Sequence, residues 1–299
     1  MAKIDLHIHS NCSDDGSFSV PEIMELCKQS HICFMSITDH NTVRGVPQAL
    51  ALAGQMGIEV ISGVELDCVC MGRNFHLLGY GFDCTDPVFA EIEQSILEQE
   101  RKAARKKIEL IREESGIPLG TDEVLEASED GVVTGELIAE LLLKKENAKD
   151  NPILLPYLPG GKRSNNPFVN FYWDYFSQGK PAYVPIKYIS MEEAAGLIHA
   201  AGGIAVLAHP GQNLQGDYAF LQQIVRSHLD GIEAYSSYHC RMEITYFTEI
   251  AQENNLLITC GSDFHGKTKP SIRLGGHGAD EKMSAIIRER IMVKMLNSH

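Results

Sequence analysis

The order of short apolar runs along this sequence limits the folds that it can adopt more than any other feature. Strand-like runs cover residues 3–8, 32–38 and 58–64, and segments with helical periodicity separate them at residues 20–30 and 46–56. This alternation is typical of an α/β fold, a mainly parallel sheet or barrel with helices on its outside. In such folds the carboxyl ends of the strands carry the functional residues. The residues that follow each apolar run are therefore the first candidates for a functional site.

Histidines and acids stand at the ends of these runs. His7 and His9 end the first run, and on a strand two residues with this spacing point to the same face. The same position at or near the end of a run is taken by Asp39, His40, Glu65, His76, His209, Asp263 and His265. Imidazoles mixed with carboxylates suit Zn, Mn or Fe, whereas oxygen ligands alone would suit Mg or Ca. Because these donors exceed what one ion accepts, the sequence predicts a site for two or three divalent metal ions.

The charge of the chain limits its partners. The formal net charge is -14 at pH 7, whereas binding to a long nucleic acid depends on clustered Lys and Arg. A small phosphorylated substrate is compatible with this charge, because bound metal ions reverse the local field. The sequence begins without a basic region followed by an apolar segment, and no apolar run approaches the length that spans a bilayer. We expect a cytoplasmic protein that binds neither a membrane nor long nucleic acid.

The alternation of strands and helices breaks between residues 84 and 181. A long helical stretch there contains the basic run 101–107, which predicts either a solvated helix face or a surface that guides phosphates. The aromatic run 168–173 predicts packing or, alternatively, a lid or base-stacking surface. We expect residues 84–181 to form a mainly helical insertion over the mouth of a barrel. Residues 1–83 and 182–299 would form the metal-binding barrel itself.

Several motifs carry a resemblance to a known family. In chain order they are Asp5-Leu6-His7-Ile8-His9-Ser10, Ser13-Asp14-Asp15-Gly16, Ile37-Thr38-Asp39-His40-Asn41, Gly63-Val64-Glu65, His76-Leu77-Leu78-Gly79, Ala208-His209-Pro210-Gly211 and Gly261-Ser262-Asp263-Phe264-His265. On these motifs the chain resembles the polymerase and histidinol phosphatase (PHP) superfamily over nearly its whole length. The resemblance implies a phosphoesterase with a distorted, TIM-like (β/α)7 barrel and a trinuclear metal site. Residues 179–184 and 201–206 resemble the branch, often labelled amidohydrolase-like, that includes 3′,5′-nucleoside bisphosphate phosphatases.

The resemblance also implies how the ligands divide among the ions. The first ion would have the ligands His7, His9, Glu65 and Asp263, with Glu65 bridging to a second ion held by His76 and His209. The third ion would be held by Asp15, His40 and His265. The chain departs from the family at this point, because two aspartates stand where one is usual. Asp15 precedes a glycine and keeps the family's spacing to His40, and Asp14 is the alternative.

Two further departures concern the substrate. In nucleotide phosphatases of this family the inserted domain usually carries a helix with Arg and His that faces the substrate phosphate, whereas the matching stretch here is residues 134–139, without either. A basic residue commonly follows the His-Pro-Gly element, and this chain has Gln212. Both departures weaken the assignment of a bisphosphate substrate. The basic residues that would hold a second phosphate instead are Arg163, Lys180 and Arg273, with Lys162 as a further candidate, although each is by default a solvated surface charge.

Two other residues are candidates for a part in the reaction. Asp39 neighbours His40, and it is predicted either to accept a hydrogen bond from a ligand imidazole or to cap the next helix. His239 follows a predicted strand at residues 231–235, so it would lie at the mouth of the barrel and is a candidate to protonate the leaving group.

The reaction that these residues favour is hydrolysis of a small phosphomonoester by a metal-bridging hydroxide, with a nucleotide such as a 3′,5′-nucleoside bisphosphate as one candidate substrate. Two neighbouring ions activate such a nucleophile and neutralise the attacking and leaving oxygens at phosphorus. The alternatives are a 5′→3′ exonuclease on short RNA, hydrolysis of an amide, and a metal-loaded binding module without turnover. The acidic balance argues mildly against the exonuclease, and the complete set of ligands argues against the module.

Overall fold

A computed structural model of the chain describes residues 3–128, 131–225 and 228–298.

Three parallel strands form the first part of the fold. The first sheet has the order β1-β2-β3, and its elements are β1 Lys3–Ile8, α1 Val20–Gln29, β2 Ile32–Ile37, α2 Val46–Met56 and β3 Glu59–Ile61. Helix α1 begins after Ser19, whose backbone N–H and hydroxyl both donate to the Glu22 carboxylate, and Pro21 stands in its first turn, where a missing N–H is tolerated. The predicted alternation of strand and helix is confirmed here.

A second sheet contains six strands in the order β6-β4-β5-β7-β8-β9. Its strands are β4 Gly63–Cys70, β5 Arg73–Tyr80, β6 Ile189–Ser190, β7 Ile204–Leu207, β8 Gly231–Ser236 and β9 Leu257–Gly261. Strand β5 runs antiparallel to both of its neighbours, unlike the other pairs of this sheet. The turn before it has left-handed backbone at Met71 and Gly72 (φ 49° and 78°), which suits a two-residue hairpin. A hydrophobic run does not encode strand direction, so the sequence did not predict this hairpin.

The two sheets approach each other at their edges. Beyond β1, the N–H of His9 donates to the carbonyl of Phe264 at 2.9 Å. On the other side, the N–H of Glu65 donates to the carbonyl of Asp39 at 3.1 Å. Gly261 permits the close contact between β1 and β9, because a Cβ at that position would lie 2.1 Å from the Cβ of His7. The two sheets together therefore follow a distorted, incompletely closed barrel in which the ends of β1, β2 and β9 converge on the start of β4.

Helices surround these sheets and cover a common apolar core. They are α7 Met191–Ala200, α8 Pro210–Leu214, α9 Tyr218–Ile224, α10 Arg241–Glu253 and α11 Glu281–Ser298. The core buries residues from both sheets, among them Leu6, Leu66, Leu77, Val206 and Ile232. Burial of such side chains is the main stabilising contribution to the fold. No helix in the described ranges is both long and apolar enough to cross a bilayer.

The segment between the barrel strands β5 and β6 is helical and has a core of its own. Its helices are α3 Pro87–Ser115, α4 Thr121–Ala127, α5 Gly135–Leu143 and α6 Pro167–Tyr175. The separate apolar cluster includes Ile108, Ile111, Leu142, Phe171 and Phe176. The domain boundaries at residues 84 and 181 stay a prediction. Within the basic run, Ala103 and Ala104 are buried while Lys102 is largely exposed, so most of its charges lie on the solvated face of α3.

Candidate metal centre

Glu65 lies at the centre of the converging strand ends. Its carboxylate is fully buried, and its two oxygens face different imidazoles. The measured contacts are Oε2 to Nε2 of His7 (3.0 Å), His9 (3.0 Å) and His40 (3.5 Å), and Oε1 to Nδ1 of His76 (2.9 Å) and Nε2 of His209 (3.0 Å). Burial alone would raise the pKa of Glu65, but these imidazoles, His7 foremost, hold it well below its usual range. A charged carboxylate that faces two sets of donors is suited to bridge two cations.

The donor atoms fall into three groups, within each of which they lie no more than 4.8 Å apart. The groups are His7, Glu65, His209 and Asp263, then His9, Asp15, His40 and His265, then His40, Asp67 and His76. Every residue that the sequence predicted as a ligand is among them. Asp15 Oδ2 lies 3.0 Å from Nε2 of His265, whereas Asp14 is in none of the groups.

The grouping differs from the one that the resemblance implied. His209 lies with His7, and His9 lies with Asp15, although Nε2 of His9 is also 3.2 Å from Oδ1 of Asp263. His76 lies with His40 and with Asp67, which the sequence reading overlooked. Asp67 follows Glu65 by two residues on β4, and this spacing, which puts both side chains on one face, was the available signal. The coordination roles themselves stay predictions.

Several atoms of the centre have the surroundings that a cation requires. Four buried polar atoms, Asp15 Oδ1, His40 Nδ1, Asp263 Oδ1 and His265 Nε2, have no partner in hydrogen-bond geometry. Nε2 of His265 and Oδ1 of Asp263 nevertheless lie 3.0 and 3.2 Å from Oδ2 of Asp15 and Nε2 of His9. Nε2 of His7 lies 3.1 Å from Nε2 of His9, so two imidazole nitrogens face each other amid carboxylate oxygens. Unsatisfied buried polar atoms are costly unless they bind something. Imidazole nitrogens and carboxylate oxygens at this density fit divalent metal ions of the Mn, Fe or Zn type.

A buried carboxylate orients the His7 imidazole from behind and also holds the backbone of His209. Glu233, on β8, accepts a hydrogen bond from Nδ1 of His7 at 3.0 Å and another from the backbone N–H of His209 at 2.9 Å. Nδ1 of His7 thus carries the proton, and Nε2 is free to face the centre. Glu233 is fully buried. An acid in an otherwise apolar strand was its sequence signal.

Replacing Glu233 with glutamine is expected to lower metal affinity by about 10- to 100-fold, the usual cost of removing a charged partner behind a metal-binding imidazole. The measurement is the metal content after dialysis against graded concentrations of free Mn. Glu249→Gln, at an exposed position on the neighbouring helix α10, is the matched control and should bind like the parent. If the Glu233 variant bound Mn as tightly as the parent, the charge of this carboxylate would have no role in metal binding.

The structure corrects both predictions for Asp39. Its carboxylate accepts hydrogen bonds from the backbone N–H and the hydroxyl of Ser10, at 2.6 and 2.7 Å. Burial raises the pKa of Asp39 to about 6. No described imidazole donates to it, and the next helix is capped by Gly45. Asp39 therefore fixes the loop after β1 instead of orienting a ligand or capping α2.

The structure also corrects the role predicted for His239. Its Nδ1 donates to the carbonyl of Ala234 at 2.9 Å, and its Nε2 accepts from the backbone N–H of Gly211 at 3.1 Å. Burial lowers its pKa, so the ring is neutral, and both nitrogens are engaged by the backbone. His239 joins the end of β8 to the His209-Pro210-Gly211 loop and is not placed to protonate a leaving group.

Lys269 is a component of the centre that the sequence reading overlooked. It is 7% exposed, and its Nζ donates to Oδ2 of Asp263 at 2.6 Å, while the hydroxyl of Tyr238 donates to the same oxygen at 2.5 Å. Burial alone would lower the pKa of Lys269, but the carboxylate of Asp263 raises it above its ordinary value. A fixed positive charge therefore lies at the edge of the centre and leaves Oδ1 of Asp263 turned to the imidazoles.

A cavity of about 330 Å³ opens between the metal centre and the helical insertion. Its basic lining residues are Arg44, Arg73, Lys107 and Lys269. Three residues predicted to bind the substrate are absent from this lining: Arg163, Lys180 and Arg273. Arg163 instead pairs with Asp174 at 2.9 Å, and the other two side chains are exposed to solvent. These positions favour the alternative of a surface charge for all three residues, and binding of the substrate by them stays a prediction that the contacts do not support.

Comparisons with known proteins agree with this geometry. The family model described as PHP domain matches residues 5–245. A 5'-3' exoribonuclease of Haemophilus influenzae is 32% identical over 88% of the chain and 90% of its own length. A 3',5'-nucleoside bisphosphate phosphatase of Chromobacterium violaceum is 30% identical over 89% and 88%. The solved structure of an amidohydrolase from Chromobacterium violaceum, with bound sulfate, is 29% identical, covers 88% of each chain and has a TM-score of 0.74. This likeness confirms the predicted fold class.

Proposed function

We propose that this chain, which belongs to the PHP domain family, releases phosphate from a small phosphomonoester bound in the cavity beside its metal centre. The resemblance read from the sequence motifs is confirmed, and the chain is a hydrolase, a metal-dependent phosphoesterase. The observation that carries the proposal is the arrangement around Glu65, where imidazoles from separate strands meet one buried carboxylate next to the cavity.

The three donor groups around Glu65, two of which share His40, would together hold up to three divalent ions, the trinuclear arrangement that the resemblance implies. Their mixture of imidazole and carboxylate suits Mn, Fe or Zn. Such ions supply positive charge to phosphoryl oxygens and acidify water enough for attack at neutral pH.

The chain's own residues would bind and orient the substrate. Lys269 lines the cavity with a fixed positive charge, so its ammonium would donate to a phosphoryl oxygen. The hydroxyl of Tyr238, also in the lining, holds the same oxygen of Asp263 that Lys269 binds. Glu233 keeps the His7 ring in one tautomer. The cavity wall of α5 and α6 limits the access of bulk water to the reacting phosphate.

The size of the cavity favours a small substrate. A volume of about 330 Å³ is at the lower end of ordinary ligand sites, and the net charge of -14 opposes a long polyanion. The relative from Haemophilus influenzae is named as an exoribonuclease, so trimming of short RNA ends is the second candidate.

The experiment is a panel of phosphate-release assays with purified, Mn-reconstituted protein. The panel contains mononucleotides, adenosine 3′,5′-bisphosphate, histidinol phosphate, short oligoribonucleotides and a generic aryl phosphate. The proposal predicts turnover of at least one phosphomonoester and much slower release from oligonucleotides. Turnover of oligonucleotides alone would establish the second candidate. If none of the compounds reacts while elemental analysis finds the metals bound, the proposal is overturned.

A further inference from the structure

We propose that the cavity selects a substrate with one phosphoryl group attached to an uncharged aromatic group, and that Glu136 excludes a second phosphoryl group. This inference rests on the proposed function, because it assumes that the single phosphoryl group is bound at the metal centre. It concerns the opposite half of the cavity, which the helical insertion forms.

The first argument is that each described Arg or Lys of the lining away from the metal centre already pairs with a carboxylate. Arg44 pairs with Glu93 at 2.7 Å, Arg73 pairs with Asp217 at 2.7 Å, and Lys107 pairs with Glu100. Lys107 also donates to the carbonyl of Val133 at 3.1 Å. Recognition of a phosphate dianion depends on charge-assisted hydrogen bonds from Arg or Lys. Among the described lining residues, no cation away from the metal centre is uncommitted.

The second argument is the carboxyl group of Glu136. This residue stands in the first turn of α5 and lines the cavity. No described Lys or Arg forms an ion pair with it. Burial and then the negative charge of Asp15 raise its pKa to about 8, while the charges of Lys269 and Lys107 act in the opposite direction without cancelling this effect. Whether protonated or charged, a carboxyl group here supplies no positive charge to an anion, and in its charged form it repels one.

The start of α5 offers little compensation for this carboxyl group. The hydroxyl of Thr134 accepts from the N–H of Leu137 at 3.0 Å, so a donor that an anion would use is already bonded. The helix cannot easily move aside, because a Cβ at Gly135 would lie 2.6 Å from the ring of Phe176. The backbone of α5 is therefore held close to α6, with Glu136 directed to the cavity.

The third argument is the aromatic character of the same wall. Tyr172, Trp173, Phe176, Tyr183 and Tyr188 line it. The rings of Tyr172 and Trp173 pack edge to face, with their centroids 5.5 Å apart and an angle of 74° between their planes. A flat, uncharged group such as a nucleobase or another aryl ring gains from stacking on such surfaces. Charge and shape together thus favour a nucleoside monophosphate or an aryl phosphate over a bisphosphate.

The test compares adenosine 3′-monophosphate with adenosine 3′,5′-bisphosphate in the Mn-reconstituted enzyme. The parent should show a kcat/KM for the monophosphate at least about tenfold higher, since an unpaired charge in a buried site has a cost of this order. Glu136→Arg supplies the missing cation and should reverse the preference. Glu136→Gln should reduce it above pH 8, where the parent carboxyl is charged and repels the second phosphoryl group. Glu126→Arg, the same substitution at an exposed position of α4, should keep the parent's ratio.

Two readouts separate this inference from the proposed function. Turnover of an aryl phosphate with equal or better turnover of the bisphosphate would leave the proposed function standing and overturn the inference. If no phosphate is released from any compound, the proposed function fails, and calorimetric binding of the two nucleotides to the Mn-loaded parent decides the inference. Binding of the monophosphate at least about tenfold more tightly supports it, and equal or tighter binding of the bisphosphate overturns it.

Discussion

Replacing Glu65 with glutamine is expected to lower phosphate release by more than about 100-fold, because even the outer partners of metal-binding imidazoles are worth 10- to 100-fold. Within the described ranges, Glu65 is the carboxylate that contacts imidazoles from all three donor groups. Glutamine keeps the volume of the side chain but removes its negative charge. One of the two carboxylate oxygens is replaced by an NH2 group, which cannot bind a cation. We expect the loss in kcat to accompany a loss of bound metal, measured by elemental analysis of the same sample.

The control for this variant is Glu59→Gln. Glu59 is a partly exposed carboxylate paired with Arg288 on the surface, and such pairs contribute little to stability. This variant should keep the activity and the metal content of the parent. Full activity of the Glu65 variant at normal metal content would contradict the role of Glu65 as a shared carboxylate.

Replacing Lys269 with methionine is expected to reduce both activity and stability, and by different amounts with and without metal. In the metal-free protein the substitution leaves the buried carboxylate of Asp263 without its cation, which typically costs about 3–5 kcal/mol. With metal bound, a cation on the other oxygen of Asp263 offsets part of this loss. Activity should still fall by about tenfold or more, because one charge-assisted hydrogen bond to a phosphoryl oxygen is removed. Thermal unfolding in chelator and in Mn, with kcat/KM on an aryl phosphate, measures both effects.

Two further variants serve as controls, one that keeps the charge of Lys269 and one at a neighbouring exposed lysine. Lys269→Arg should recover part of the activity, since it retains the charge in the same wall. Lys267→Met, two residues earlier at a side chain that is 63% exposed and pairs with Glu140, should change neither quantity. An equal loss of stability in chelator and in Mn would show that Lys269 acts independently of the metal centre.

Most of the candidate ligands were predictable because they follow an apolar run. The carboxyl ends of β1, β2 and β9 meet, so His7, His40 and Asp263 are brought together by the topology. Glu65 instead stands at the start of β4 and His76 lies inside β5, and Asp15 was predicted only from the resemblance. The partition of the ligands among the groups was not predictable, because it depends on distances of one or two ångströms between side chains from different strands. The antiparallel direction of β5 could not be predicted either, because an apolar pattern does not depend on the direction of the strand.

Residues that act through hydrogen bonds were the hardest to place. Asp39 and His239 have the same residue types as ligands and stand at strand ends. Their polar atoms are nevertheless hydrogen-bonded elsewhere, those of Asp39 to Ser10 and those of His239 to backbone groups. Glu233 and Lys269 look unremarkable in sequence, because a buried acid or lysine becomes distinctive only when its partner is known. Arg163 is the reverse case, since an arginine in a polar loop resembles a phosphate ligand until Asp174 is seen beside it.

The measurement that tests the account most directly is phosphate release from an aryl phosphate by one protein sample in three states: as purified, after chelation, and after reconstitution with Mn. The account predicts that chelation abolishes release and that Mn restores it in proportion to the metal bound. Release that persists in the chelated, metal-free protein would contradict the assignment of these histidines and carboxylates to a catalytic metal centre.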